Sequence, residues 1–279
     1  MVNNVDMARW MVNTSHFTVA DNTNSHYQTS TNTYNFVNRQ SKELLVTIGE
    51  SWTWGSDLQD RLKSVYGALV SDHFNCDWLN LGLPGVGNFF IAHLAEQLGT
   101  LKLDYDRVRV ICTFTEVGRQ TDSQFDIDFD YNNWYLQNFT DYKDLYKLLH
   151  SMNRSCVERI VTALPDYEVV FGSNFVEPLG FENKNQIDKS WVQLMSEQQG
   201  FLYSDYCYGM QHGVTHLEKV KNIIPIADSD MKHWMIELLE CATRRLDVCG
   251  NSKFFKNLHP LEDGQRIWAD ACIEVLENG

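Results

Sequence analysis

The chain has 279 residues, of which 43% are hydrophobic and 13% aromatic. That content is enough for a large buried core and excludes a disordered polar chain. The formal net charge of −14 disfavours nucleic acid or an anionic membrane as a partner, because both bind lysine and arginine. The sequence contains no apolar run long enough to span a bilayer and no basic segment followed by an apolar run at its start, so we predict a cytoplasmic protein.

Residues 1–40 are rich in asparagine, threonine and serine, and they predict an irregular N-terminal extension. We expect a single domain over residues 41–279. Apolar runs and helical spacing within it predict, in chain order, strand 44–48, helix 57–70, strand 76–81, helix 88–100, strand 107–114, helix 141–164, strand 167–171, helix 186–198, helix 231–246 and helix 261–277. This alternation predicts an α/β fold with a central, mostly parallel sheet covered by helices on both faces.

Two stretches are longer than this alternation requires. Residues 117–140 follow the third strand and carry several aromatic residues among aspartates, so they would overhang the carboxyl edge of the sheet. They form either a lid or sugar-stacking wall or a packed surface loop. Residues 174–226 include two candidates for a fifth strand, 201–203 and 223–226, between which the sequence does not decide.

Seven cysteines are scattered along the chain without a CxxC pair, at Cys76, Cys112, Cys156, Cys207, Cys241, Cys249 and Cys272. Their odd number and apolar surroundings predict buried free thiols in a reducing compartment. His212 and His216 have the spacing of two metal ligands on one helix face, but Gly213 lies between them and no third ligand is evident. We therefore predict no metal site.

Residues 44–48 form a strand-like run that leads directly into Gly49, Glu50 and Ser51, and a helical pattern begins at Asp57. A strand that ends in a glycine turn before a helix places its hydroxyl at the carboxyl edge of a parallel sheet, where open α/β sheets bind ligands. A serine there can act as a nucleophile, since the amides of the following helix favour negative charge beside it. The alternative is that this serine only caps the helix.

Two further segments extend the pattern. Residues 80–85 (Asn-Leu-Gly-Leu-Pro-Gly) end a second apolar run, and residues 259–264 (His-Pro-Leu-Glu-Asp-Gly) precede the last helix. Together with residues 49–55 (Gly-Glu-Ser-Trp-Thr-Trp-Gly), they resemble three of the four sequence blocks of the SGNH (GDSL-type) hydrolase family, in the same order.

The resemblance implies a three-layer α/β/α, flavodoxin-like sandwich and an esterase mechanism that needs no cofactor. In that mechanism Ser51 is the nucleophile that forms an acyl-enzyme, and His259 is its general base. The backbone amides of Ser51 and Gly85 bind the oxyanion.

The chain departs from the family pattern in three places. Glu50 replaces the usual aspartate before the nucleophile. The third block is absent after the third strand, so the Thr115 hydroxyl or the Arg119 guanidinium would have to replace the family's asparagine as an oxyanion donor. Lys256 stands where the family has an acid three residues before the histidine, and an ammonium group cannot accept a hydrogen bond from an imidazole.

We accordingly predict a dyad of Ser51 and His259, in which a backbone carbonyl or a water molecule holds the second histidine nitrogen. The alternatives for an orienting acid are Glu262, Asp263 or an acid from the 174–226 insertion. Glu262 and Asp263 lie in the first turn of a helix, where acids are favoured by the helix dipole alone.

The predicted substrate is a small-molecule or carbohydrate ester with a small acyl group. The aromatic, acid-rich segment 117–140 favours an O-acetyl group on a carbohydrate, and Trp52, Arg119 and Trp134 are the predicted substrate-binding residues. The alternatives are an acyltransferase that uses the same serine and a carbohydrate-binding or structural module that keeps the fold without turnover. The sequence predicts no oligomeric state.

Overall fold

The computed structural model describes residues 35–115, 142–174, 185–199, 255–256 and 259–279. Its five-stranded sheet has the order β1-β3-β2-β4-β5, with β1 at Asn35–Val37, β2 at Glu43–Ile48, β3 at Asp77–Asn80, β4 at Arg107–Phe114 and β5 at Glu168–Ser173. Only β1 runs antiparallel, against β3, and the other three pairings are parallel. The predicted α/β fold with a central, mostly parallel sheet is confirmed.

Seven helices surround or follow this sheet in the described ranges: α1 at Ser51–Trp54, α2 at Arg61–Ser64, α3 at Tyr66–Phe74, α4 at Asn88–Gly99, α5 at Tyr142–Ala163, α6 at Trp191–Gln199 and α7 at Glu262–Asn278. A two-stranded ribbon pairs β6 (Phe255–Lys256) with β7 (His259–Pro260) just before α7. The predicted helices over 88–100, 141–164 and 261–277 match α4, α5 and α7 to within about two residues, as expected for helix ends.

The central strands are apolar on both faces because both faces are covered. Alternate residues of β2 point to opposite sides, so Leu44 and Val46 pack with α4 and α5, whereas Leu45 packs with α3, α6 and α7. All three residues are fully buried. The result is a three-layer arrangement of helices, sheet and helices, which explains why these strands read as continuous hydrophobic runs.

The predicted helix over 57–70 is wrong. In its place stand the short helices α2 and α3, while α1 lies before it and begins at Ser51 itself. Asp57, at the predicted start, adopts φ of 67° in the turn after Gly55, so no right-handed helix begins there. Val65 is extended between α2 and α3 (φ −69°, ψ 146°), so the periodic pattern of apolar residues here reflects burial and not one continuous helix.

Strand β1 lies inside the segment for which the sequence predicted irregular structure. It is the edge strand and pairs Asn35, Phe36 and Val37 with β3, and Phe36 is buried in the core. Just beyond it, the backbone amide of Arg39 donates to Asp77 Oδ1 at 2.6 Å. Three residues are too few to show an alternating pattern, so only the pairing partner reveals this strand.

Several sequence predictions lie outside the described residues: the segment 117–140 with Arg119 and Trp134, the two candidate fifth strands, the helix over 231–246, and His212 with His216. The four described cysteines, Cys76, Cys112, Cys156 and Cys272, are free and buried, as predicted. Burial raises the thiol pKa of both Cys76 and Cys156 to about 11. No helix in the described ranges is long and apolar enough to cross a membrane.

Candidate active site

Ser51 lies at the carboxyl edge of the sheet, where β2 ends and α1 begins. The turn between them is tight at Gly49, where an added Cβ would lie 2.1 Å from Thr53 Oγ1 and 3.0 Å from the carbonyl oxygen of Thr113. Only glycine fits that space, so the sequence Gly-Glu-Ser brings the serine directly onto the end of the strand. The side chain of Ser51 is largely shielded, with the residue 9% exposed.

Glu50 caps helix α1 with its own side chain. Its Oε2 accepts from the backbone amide of Ser51 at 2.5 Å, and its Oε1 accepts from the amide of Trp52 at 3.1 Å. The side-chain amide of Asn174, at the end of β5, donates to the same carboxylate at 2.5 Å. A buried carboxylate needs such donors, so the glutamate that replaces the family's aspartate is held in place by the first turn of the helix and by a neighbouring strand.

The Ser51 hydroxyl also donates to Glu50 Oε2. In the described part of the chain, this hydroxyl bonds to Glu50 and not to His259. Both N–H and O–H of Ser51 are therefore directed at one carboxylate in this conformation. Transfer of the proton to an imidazole requires rotation of the hydroxyl, and use of the Ser51 amide as an oxyanion donor requires Glu50 to release it.

His259 is the first residue of β7, and its Nδ1 lies 2.7 Å from Oδ2 of Asp57. The two side chains are half-buried, with 25% and 19% exposure. An ionised carboxylate can only accept, so Nδ1 carries the proton and Nε2 remains an acceptor. The prediction that a backbone carbonyl or a water molecule holds this nitrogen is wrong, because a carboxylate holds it.

Asp57 was missed by sequence reasoning, which considered Glu262, Asp263 and an acid from the 174–226 insertion. The aspartate belongs to the turn after α1, and its unusual φ of 67° aims a short side chain across to a strand 202 residues away. Aspartate tolerates the left-handed region better than most residues. The only local signal is the Gly-Ser-Asp sequence just past a short helix, which ordinarily indicates a turn and nothing more.

The second sequence block is tied to the nucleophile turn by Asn80. Its side-chain amide donates to the carbonyl of Thr53 at 3.0 Å, and its Oδ1 accepts from the amide of Gly82 at 2.8 Å. The amide of Leu83 donates to the carbonyl of Gly49 at 2.9 Å. These hydrogen bonds hold the loop that contains Gly85 at the same sheet edge as Ser51.

Gly82 and Gly85 differ sharply in their surroundings. A Cβ on Gly82 would lie 2.5 Å from the amide nitrogen of Trp54, so this glycine permits close packing against α1. Gly85 has φ of 85°, and among the described residues nothing lies within 4 Å of a built Cβ. The described part of the chain therefore leaves space beside Gly85 for an acyl group, and its role as an oxyanion donor stays a prediction.

Two other predicted site residues have buried positions. Thr115 follows β4, and its backbone amide donates to Asn88 Oδ1 at 3.0 Å, so the predicted hydroxyl donor is anchored beside the start of α4. Trp52 is only 2% exposed and packs edge-on against Trp191 at 5.3 Å. Its indole belongs to the core, so this position does not support the predicted contact of Trp52 with substrate. Arg119 and Trp134 lie outside the described residues.

A buried hydroxyl network lies beneath the serine turn. The Tyr66 hydroxyl lies 3.1 Å from Thr113 Oγ1 and donates to Thr53 Oγ1 at 3.3 Å. Burial raises the pKa of Tyr66 far above its ordinary range, so the phenol stays neutral. These bonds satisfy polar groups between α1, α3 and β4, and sequence periodicity gives no signal for them.

No protein-family model and no curated protein matches this chain. Two solved structures are distantly similar. One is a member of the lipolytic protein G-D-S-L family from Veillonella parvula DSM 2008, with 13% identity and a TM-score of 0.40, covering 85% of this chain and 100% of that chain. The other is a possible lipase from Chitinophaga pinensis DSM 2588, with 18% identity and a TM-score of 0.26, covering 47% and 48% of the two chains. Neither score is high enough to assign a residue or an activity.

Proposed function

We propose that this protein is a serine hydrolase of carboxylic esters, with Ser51 as the nucleophile, His259 as the general base and Asp57 as the acid that orients the histidine. The observation that carries the proposal is the 2.7 Å contact between His259 Nδ1 and Asp57 Oδ2. Asp57 lies in the turn that follows the serine helix, so this contact brings the base to the same end of the sheet as the hydroxyl. A histidine held in one tautomer beside such a serine matches the logic of a catalytic triad.

The reaction proceeds in two halves. The Ser51 oxygen attacks the ester carbonyl as His259 Nε2 takes its proton, and collapse of the tetrahedral intermediate breaks the bond to the alcohol, which leaves with that proton. Water then attacks the acyl-enzyme while His259 again acts as base, and the carboxylic acid departs with Ser51 restored. Asp57 stays ionised throughout and stabilises the imidazolium formed in each half.

Oxyanion stabilisation is assigned to the Gly85 amide, with Thr115 as a further donor. The open space beside Gly85 supports this assignment, because a substrate carbonyl can approach that backbone without a side chain in its path. The Ser51 amide becomes a third donor once Glu50 turns away from it.

The substrate that we propose is an ester of a small acyl group, with an O-acetylated carbohydrate as the favoured class. This part of the proposal rests on the aromatic and acidic composition of residues 117–140. Comparing turnover of an acetylated polysaccharide with turnover of p-nitrophenyl esters of increasing chain length tests it. Faster turnover of long-chain esters than of acetate would contradict a small-acyl site.

One observation favours a different function, a carbohydrate-binding or structural module without turnover. Glu50 engages both the amide and the hydroxyl of Ser51, which leaves the serine without its base in this conformation. A permanently engaged serine would neither hydrolyse esters nor react with a fluorophosphonate.

The deciding experiment measures p-nitrophenyl acetate hydrolysis and fluorophosphonate labelling of the whole chain. We expect both in the wild type, with loss of labelling and at least about a hundredfold loss of turnover in Ser51→Ala. Ser56→Ala is the matched control, since Ser56 lies in the same turn and is also buried. Equal turnover in wild type and Ser51→Ala would refute the proposal, and an unlabelled wild type would favour the module.

A further inference from the structure

Gln265 is a fully buried polar side chain on α7 that bonds to three other segments of the chain. Its Oε1 accepts from the backbone amide of Tyr66 at 2.9 Å. Its Nε2 donates to the carbonyl of Trp52 at 3.2 Å and to the carbonyl of Pro260 at 3.4 Å. One side-chain amide thus supplies two donors and one acceptor to groups that are distant in sequence.

Each partner needs such a bond. Tyr66 is the first residue of α3, and Trp52 belongs to the four-residue helix α1, so neither group has a partner four residues away within its own helix. A buried amide or carbonyl without a hydrogen bond destabilises the folded state. Gln265 therefore stabilises the fold. The need of buried groups for hydrogen bonds does not by itself explain which segments Gln265 joins.

The two carbonyls that Nε2 binds are next to the two reacting residues. Trp52 directly follows Ser51, and Pro260 directly follows His259. Helix α1 and strand β7 also contact each other directly. The amide nitrogen of Gln265 thus bonds to the backbones of both α1 and β7 and links the helix that carries Ser51 to the strand that carries His259.

We propose that Gln265 is a positioning residue for ester hydrolysis, which fixes His259 relative to Ser51 through the carbonyls of Pro260 and Trp52. This inference rests on the proposed function. Asp57 sets the orientation and tautomer of the imidazole ring, whereas Gln265 sets the place of the strand that carries it. An error of about 1 Å in such a separation lowers a rate by roughly a hundredfold, without a comparable change in substrate binding.

The start of α7 has a second anchor that does not reach the serine. The indole of Trp191 donates to the carbonyl of Gly264 at 2.8 Å, which fixes α7 against α6. Loss of Gln265 therefore leaves α7 docked on α6 while removing the hydrogen-bonded link that runs through Gln265 between α1 and β7. A positioning role therefore predicts a loss of kcat when Gln265 is replaced, whereas a purely structural role predicts a loss of stability alone.

The test compares Gln265→Met, which keeps the length of the side chain and removes its hydrogen bonds, with Val70→Ala as a control. Val70 is a fully buried core residue of α3, away from the sheet edge that carries Ser51. For Gln265→Met we expect kcat on p-nitrophenyl acetate to fall about 10- to 100-fold per folded molecule, with KM changed less than about twofold. Val70→Ala should lose stability and keep kcat.

Wild-type kcat in folded Gln265→Met would overturn the inference, as would an equal loss of kcat in Val70→Ala. If Gln265→Met does not fold, Gln265→Ala replaces it, because the smaller side chain lets water enter and satisfy the carbonyls. The NMR resonance of the His259 Nδ1 proton gives a readout that needs no turnover. It should shift or broaden in the Gln265 variants, and an unchanged resonance refutes the positioning role even if wild-type Ser51 proves inactive.

Discussion

The amino and carboxyl edges of the central sheet both hold charged side chains, but the partners differ. At the amino edge, cations meet carboxylates: Arg109 bonds to Glu43 at 2.6 Å, and Arg107 bonds to Glu168 at 2.7 Å. At the carboxyl edge, the carboxylate of Glu50 accepts from a serine hydroxyl, from backbone amides and from an asparagine.

The difference shows how burial of charge can serve stability or chemistry. Arg109 is 3% exposed, and beyond its carboxylate partners its guanidinium lies 4.3 Å from the ring centre of Phe74. Those contacts are ionic and aromatic and involve no serine or imidazole. At the other edge, the carboxylates of Glu50 and Asp57 contact a serine hydroxyl and an imidazole, whose protons move in the proposed reaction. We therefore expect substitutions at the carboxyl edge to change rates and substitutions at the amino edge to change stability.

The largest effect is expected for Asp57→Asn. The amide cannot fix the proton on His259 Nδ1 or stabilise the imidazolium, so kcat should fall by about 10³-fold with little change in melting temperature. Ester hydrolysis and circular dichroism measure the two quantities. Asp60→Asn is the control, because Asp60 lies only three residues further along the chain. Among the ion pairs of the described residues, Asp60 pairs only with the exposed Lys63, at 2.8 Å. A kcat loss in Asp60→Asn equal to that in Asp57→Asn would refute a specific role for Asp57.

Arg109→Met tests whether a substitution at the amino edge of the sheet changes stability without changing the rate. Removing the guanidinium leaves Glu43 without this partner, whereas Glu168 keeps Arg107; both glutamates are partly exposed, at 37% and 43%, and water can solvate them. The free energy of unfolding should fall by about 1–3 kcal/mol. Urea denaturation measures this change, and kcat per folded molecule should equal that of the wild type. A lowered kcat would show that the two edges are coupled.

The smallest effect is expected for Glu50→Asp, which restores the family's residue. The shorter side chain still caps the helix amides but withdraws from the Ser51 hydroxyl, so His259 competes for that proton more effectively. We expect fluorophosphonate labelling to become about fivefold faster, which corresponds to the roughly 1 kcal/mol net value of one hydrogen bond. Slower labelling would mean that Glu50 assists the nucleophile instead of restraining it. Glu96→Asp, at an exposed ion pair with Arg159, is the control.

The sequence by itself determined the parts of this protein that depend on local patterns. Apolar runs located β2, β3 and β4, helical spacing located α4 and α7, and the Gly-Glu-Ser turn located the serine at the end of its strand. Each of these follows from residues within a few positions of one another, because strands and helices repeat every two or 3.6 residues. Resemblance to a family added His259 by the same kind of short motif.

Only the tertiary structure decided which groups meet. Asp57 reaches His259 across 202 residues, and Gln265 reaches Trp52 across 213. No periodicity connects such distant positions, so neither contact has a signal in one sequence. The left-handed backbone of Asp57 prevents a helix from beginning at that residue, and it also directs the Asp57 side chain toward the histidine. The acid of the proposed triad could not be predicted, because its contact depends on the left-handed backbone at Asp57 and on the docking of β7, and the sequence pattern near His259 carries no signal for either.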